Sequence, residues 1–259
     1  SLPSRASAVF SCSVRGDVVF AEFIGTGLLA FTIAVAAGQG AALAGVGIGA
    51  TLMTAIYAGG HLAGAHYNPA VTLAILIRRK IKAVEAGAYV VAQICGALTG
   101  GLIGMVALKG DIPIGAPEIA TGVGIGSAFV AELVLTFALC HTVLNVATTT
   151  AQAKNSYYGL AIGFTVLSGA ISVGGISGGC FNPAIKMLSF LRAIRSGSIG
   201  GGAWVHFVAP LVGGALSGTV FVILQPDEVD EDHNLVSKLG PASPFATKRK
   251  TIAPYVYEF

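Results

Sequence analysis

The sequence predicts an all-α membrane protein, with six transmembrane helices and two re-entrant half helices in an inverted repeat. Three observations carry that reading. Hydrophobic residues make up 54% of the chain and charged residues 10%, against about 25% charged in a soluble domain. The mean hydropathy is +0.79, and uncharged runs of about 20 residues match the thickness of a bilayer. Finally, His66-Tyr67-Asn68-Pro69-Ala70-Val71-Thr72 returns as Cys180-Phe181-Asn182-Pro183-Ala184-Ile185-Lys186.

The same composition excludes other classes. A net charge of +3, with no basic stripe interleaved with aromatics, speaks against nucleic acid. Cys12, Cys95, Cys140 and Cys180 lie far apart and form no CxxC, metal spacing or disulfide framework, so they read as small packing residues. There is no nucleophile pairing, metal cluster or phosphate loop. The sequence therefore predicts no enzyme, no catalytic residue, no metal and no cofactor.

In chain order, residues 1–16 hold five serines, Arg5 and Arg15 and no acid. That composition resembles the end of a targeting peptide; a trimmed cytoplasmic tail is the competing reading. The first span is Val18 to Ala37, with Glu22 near its start, and the second is Ala41 to Gly60. The glycine-rich stretch Gly60 to Ala65 leads to the first Asn-Pro-Ala. Asn is a preferred N-cap, and Pro suits the first helical turn. The helix that follows, Pro69 to Ile77, has about half a spanning length. It stops at Arg78-Arg79-Lys80-Ile81-Lys82, which reads as a membrane-surface stop.

The third span is Val84 to Leu108, and the loop Lys109 to Thr121 carries Pro113 and Pro117. The fourth, Gly122 to Ala147, carries Glu132, Cys140 and His141. After a polar turn, the fifth runs from Tyr157 to Val173. Gly174 to Gly179 leads to the second Asn-Pro-Ala, whose half helix ends at Arg192 and Arg195. The sixth span is Ala203 to Leu224. The tail, 225–259, is acidic first and basic later.

The membrane-spanning domain is thus 17–224, with repeats at about 17–108 and 122–224, between tails 1–16 and 225–259. Ala21-Glu22-Phe23 with Thr26 is echoed by Ala131-Glu132-Leu133 with Thr136. Three spans per half is odd, so the second half enters from the opposite side, and the two Asn-Pro-Ala ends meet near the midplane. Eleven of the fifteen Lys and Arg fall on the side of both termini, which predicts that side to be cytoplasmic, stromal or matrix-facing. Gly96-xxx-Gly100-xxx-Gly104, Gly159-xxx-Gly163 and Gly214-xxx-Gly218 suit close helix packing.

On Ala21-Glu22-Phe23, Gly64 to Thr72, Ala92-Gln93, Gly96-Ala97, Ala131-Glu132, Asn182-Pro183-Ala184, Trp204 and Pro210, the sequence resembles the aquaporin (major intrinsic protein) family. The resemblance covers about residues 18–224. It implies a homotetramer in the lipid bilayer with one pore per subunit, passing water and small neutral solutes. Asn68, Pro69, Ala70, Asn182, Pro183 and Ala184 would form the pore centre. Glu22 and Glu132 read as scaffold carboxylates that accept hydrogen bonds from approach-loop N–H groups. His61 and His66 read as scaffold as well, while His141 and His206 remain ambiguous.

The departure from the family lies at the selectivity constriction. An Arg commonly stands three residues after the second Asn; here that position is Ile185, followed by Lys186. Motif spacing puts the other filter positions at Ile48, Ala170 and Gly179. Lys186 is turned by about 100° from Ile185 along a helix. The leading reading is a passive channel for water, glycerol, urea or ammonia. The runner-up is a structural subunit of a larger membrane assembly, with a protein partner docked on the charged C-terminal tail.

Overall fold

The computed structural model describes residues 14–108, 112–197 and 199–228. The expectations placed on residues 1–13 and 229–259 lie outside the described residues, as does the side chain of Arg195. Among the described residues the chain forms eight α-helices, two 3-10 turns and no strand. Six helices are long and apolar enough to cross a membrane: α1 (Gly16–Gly38), α2 (Ala44–Ala63), α4 (Ala83–Ala107), α5 (Ile125–Thr148), α6 (Tyr158–Ser177) and α8 (Val205–Leu224). The other two, α3 (Pro69–Ile77) and α7 (Met187–Ser196), have 9 and 10 residues. At about 1.5 Å per residue they reach roughly halfway through a bilayer core.

The two halves mirror one another in their contacts. α1 packs on α4 as α5 packs on α8, and α2 crosses α6 between the halves. α3 lies against α8, and α7 against α4. The repeat extends to polar pairs. Thr32 on α1 meets Thr51 on α2 at 3.1 Å, and Thr165 on α6 meets Thr142 on α5 at 3.3 Å. At the central crossing, a Cβ on Gly49 would lie 2.8 Å from the Gly163 carbonyl, and one on Gly163 would lie 2.6 Å from the Gly49 carbonyl. Backbone approaches backbone there, so the dispersion contacts that hold membrane helices together need no side chain at that point.

The ends of α2 and α6 differ from the sequence reading. α2 and α6 run on to Ala63 and Ser177, so most of the glycine-rich approaches is helical. Glycine costs a helix about 1 kcal/mol relative to Ala. A backbone group left unpaired at membrane depth costs several, so the helix continues through its glycines. It ends where Gly64 and Gly178 turn left-handed, at φ 79° and 86°. Only residues 64–67 and 178–181 remain outside helices on the way to the two Asn-Pro-Ala motifs.

The basic turn after α3 is also split. Arg79, Lys80 and Lys82 are exposed, but Arg78 is 1% exposed. Its guanidinium bonds the Thr148 carbonyl at 2.9 Å and the Thr148 hydroxyl at 2.9 Å, pairs with Glu228 at 3.2 Å, and covers the Phe221 ring at 4.9 Å. Arg78 is therefore an internal clamp and not part of a surface stop. A buried guanidinium needs several acceptors, and these come from the end of α5 and from the 3-10 turn Pro226–Glu228. Gln225 joins the same contact through Asn145, at 2.6 Å.

Candidate functional site

The site is built where the two half helices meet. Asn68 caps α3: its Oδ1 accepts from Ala70 N at 2.8 Å, which leaves its amide nitrogen facing the other half. That nitrogen donates to the Phe181 carbonyl at 2.8 Å. Asn182 does the same in reverse, accepting from Ala184 N at 3.0 Å and donating to the Tyr67 carbonyl at 2.8 Å. Each amide NH₂ carries two hydrogens. One is used in this reciprocal bond.

The opening turns differ. α3 is α-helical from Pro69. After Asn182 the chain first makes a tighter turn, with Ile185 N to Asn182 O at 3.1 Å and Met187 N to Ala184 O at 3.1 Å, before α7 begins.

Behind each Asn stands a fully buried carboxylate. Glu22 accepts from His66 N at 2.7 Å and Tyr67 N at 2.7 Å, and from Gln93 Nε2 at 2.8 Å. Glu132 accepts from Cys180 N at 2.9 Å, Phe181 N at 2.7 Å and Ser177 Oγ at 2.6 Å. Tyr67 and Phe181 hold φ of 48° and 50°, a left-handed conformation that costs non-glycine residues about 1–3 kcal/mol each. The carboxylate offsets that strain by taking two successive N–H groups. The carbonyls of Tyr67 and Phe181 are the ones that receive the opposite Asn.

Asn68, Asn182, Tyr67 and Phe181 line a cavity of about 100 Å³. Leu29, Leu52, Ile56, Leu139, Val143 and Ile162 form much of an apolar wall. Asn68, Asn182 and the backbone of 65–67 and 178–181 form the polar one. Ile48, Ala170, Gly179 and Ile185 all line this same cavity. Ala116 and Pro117, from the loop between the halves, line it too. Nothing local in the sequence marks those two residues. Lys186 is not in the wall: it is 1% exposed, and its Nζ donates to the Pro117 carbonyl at 2.7 Å.

The histidines part ways. His66 reaches the cavity, with Nδ1 3.1 Å from Thr72 Oγ1 and its ring edge-on to Tyr89. Thr72 also accepts from Gln93 Nε2 at 3.0 Å. His61 is exposed and borders a space beside Lys154 and Asn155 that shares Ile56, Ala65, Val143 and Ile162 with the main cavity, and it lies outside the network around Glu22. His206 is buried against the Ser177 carbonyl at 2.6 Å, which places it behind the second half helix. His141 stacks on Phe137 away from the cavity. Among the described residues no group of three His, Cys, Asp or Glu could hold a metal ion.

The family model for the major intrinsic protein family matches residues 11–221. The chain belongs to the major intrinsic protein family. It is 34% identical over 213 residues to a glycerol uptake facilitator protein-like protein of Lactiplantibacillus plantarum, covering 76% of this chain and 93% of that one. To the lens fiber major intrinsic protein of Lithobates pipiens it is 33% identical over 254 residues, covering 91% and 92%. To aquaporin TIP2-1 of Arabidopsis thaliana it is 33% identical over 177 residues, covering 67% and 68%. The X-ray structure of the aquaglyceroporin from Plasmodium falciparum shares the fold, with a TM-score of 0.70 at 24% identity, over 79% of this chain and 94% of that one. Membership makes this major intrinsic protein an integral, multi-pass membrane channel of the water and small-solute class.

Proposed function

We propose that the protein is a passive pore for water and small neutral solutes with amphipathic character: glycerol or another small polyol, urea, or ammonia. The observation that carries this is Ile185, which stands in the cavity wall where the family commonly has an Arg, while Lys186 turns its ammonium to the Pro117 carbonyl. A filter Arg supplies fixed donors, a positive charge and bulk. The ring of Ile48, Ala170, Gly179 and Ile185 supplies none of these to a solute. One wall then offers carbonyl acceptors and the Asn donors, and the other offers hydrocarbon, which suits the two faces of a polyol.

Charge selectivity rests on the half helices. Each N-terminus carries about +0.5 of an elementary charge from its macrodipole, and the two meet at Asn68 and Asn182. Two such ends in a low-dielectric path repel cations, and they orient water with its oxygen toward the centre, which opposes proton relay. The pore works as a homotetramer, with the termini and the turns at 78–82 and 148–156 on the cytoplasmic, stromal or matrix side. The test is vesicle swelling on the purified full chain. Flux of both water and glycerol supports the reading; a folded protein that passes neither overturns it and leaves the structural-subunit alternative.

A further inference from the structure

We propose that Lys186 is a specificity-determining positioning residue: its buried ammonium holds the Pro117 carbonyl and so sets the width of the outer part of the pore. The inference rests on the channel reading above.

Ala116 and Pro117 face the same cavity as Ile48, Ala170, Gly179 and Ile185. They belong to the loop that joins the two halves, and a loop wall is as narrow as its fastenings make it. The flanks are tied by backbone bonds, Gly115 N to the Ala34 carbonyl at 2.8 Å and Ala120 N to the Ile176 carbonyl at 3.0 Å. Between them, Glu118 pairs with Arg192 in an ion pair that is about 30% exposed, where such pairs hold weakly. Pro117 has no N–H, so its carbonyl is the one backbone polar group by which it is held. That oxygen accepts from Lys186 Nζ at 2.7 Å and from Ser189 Oγ at 3.1 Å.

Both donors belong to the second half-helix segment. The lysine bond is the stronger, since a charged donor makes a hydrogen bond roughly twice as strong as a neutral one. The ammonium is buried, so water does not compete for it. The loop also lies directly on the backbone before Asn182: a Cβ on Gly178 would come within 2.5 Å of Glu118 N and 3.0 Å of Pro117 Cα. Movement of Pro117 away from Lys186 therefore opens the pore wall at the level of Gly178 and Gly179. The Lys186 ammonium lies at the back of the wall, where it acts on size and not on solute hydrogen bonding.

The experiment measures glycerol and ribitol permeability of the full chain in vesicles, with hydrogen exchange of residues 116–120 on the same samples. Lys186→Met keeps the stem and removes the ammonium; Lys186→Arg keeps a cation that reaches the same carbonyl; Ser189→Ala removes the weaker donor. The ribitol-to-glycerol ratio rises at least about threefold in Lys186→Met, because pore diameter governs this selectivity. It rises less in Ser189→Ala and stays at the wild-type value in Lys186→Arg. Exchange at 116–120 accelerates in the same order. A folded Lys186→Met with the wild-type ratio and wild-type exchange overturns the inference. So does a Lys186→Met that does not fold, since the lysine is then a folding residue. If the wild type carries neither solute, the polyol part of the proposed function fails on its own, water flux in the same vesicles tests the channel itself, and exchange at 116–120 still decides whether Lys186 holds the loop.

Discussion

Arg78 and Glu228 lie 150 positions apart and meet at 3.2 Å at the C-terminal end of α3. Glu228 also accepts from Thr150 N at 2.8 Å. One pair thus joins the end of a half helix, the turn after α5 and the segment after α8. That turn borders the space beside His61.

The first prediction follows from this clamp. Breaking a buried ion pair by removing one partner costs about 3–5 kcal/mol. Arg78→Met strands Glu228 and the Thr148 carbonyl, so the detergent-solubilised protein should lose half-life on heating by at least tenfold, about 1.4 kcal/mol or more. Glu228→Gln should do less, because Glu228 is 15% exposed. Truncation after residue 224 should match or exceed Glu228→Ala. Thermal half-lives unchanged by Arg78→Met contradict the clamp.

The second concerns the pore centre. Asn68→Asp and Asn182→Asp each replace a donor with an acceptor directly opposite a carbonyl, at the 2.8 Å contacts to Phe181 and Tyr67. They also put a charge into a narrow, low-dielectric path. Neutral-solute flux should fall at least about tenfold in each, equivalent to about 1.4 kcal/mol. Stopped-flow swelling of vesicles with matched protein content measures it. Two folded variants that conduct like wild type would place the pore elsewhere.

The third concerns the scaffold. Glu22→Ala leaves His66 N and Tyr67 N without their acceptor, at roughly 1–3 kcal/mol each, and takes from Gln93 Nε2 one of its two acceptors. Folded yield on size exclusion should fall in the order wild type, Glu22→Gln, Glu22→Ala, with the Glu132 series running in parallel. Solute preference of whatever folds should stay at wild type. A well-folded Ala variant with altered selectivity argues against scaffolding.

The fourth concerns the filter. Ile185→Arg adds bulk and donors to the cavity wall. It should lower glycerol flux relative to water by at least about tenfold, because an Arg narrows the constriction and still hydrogen-bonds water. Water and glycerol permeabilities of the two proteins, in the same vesicle preparation, give the ratio. An unchanged ratio removes Ile185 from the filter.

Much of the fold was legible in the sequence because its causes are local. Spanning length, half-length helices, the Asn-Pro cap and the Glu22/Glu132 echo all lie within a few turns of one another or in plain repetition. The helix ends were less legible. His61 to Ala63 and Gly174 to Ser177 lie past the spans the sequence predicts yet are helical, because glycine's water-based propensity does not apply at membrane depth.

The sequence by itself determined six spans, two half helices and which residue stands three positions after each Asn. Only the tertiary structure decided what those residues meet. Arg78 is a clamp because Glu228 arrives from 150 positions away, and Lys186 is off the solute path because Pro117, 69 positions away, offers its carbonyl. A long cationic side chain carries no local preference between water and a buried acceptor. The acceptor exists only once the two halves have closed on each other, so burial of the charge is set by the fold and not by its neighbours in the chain.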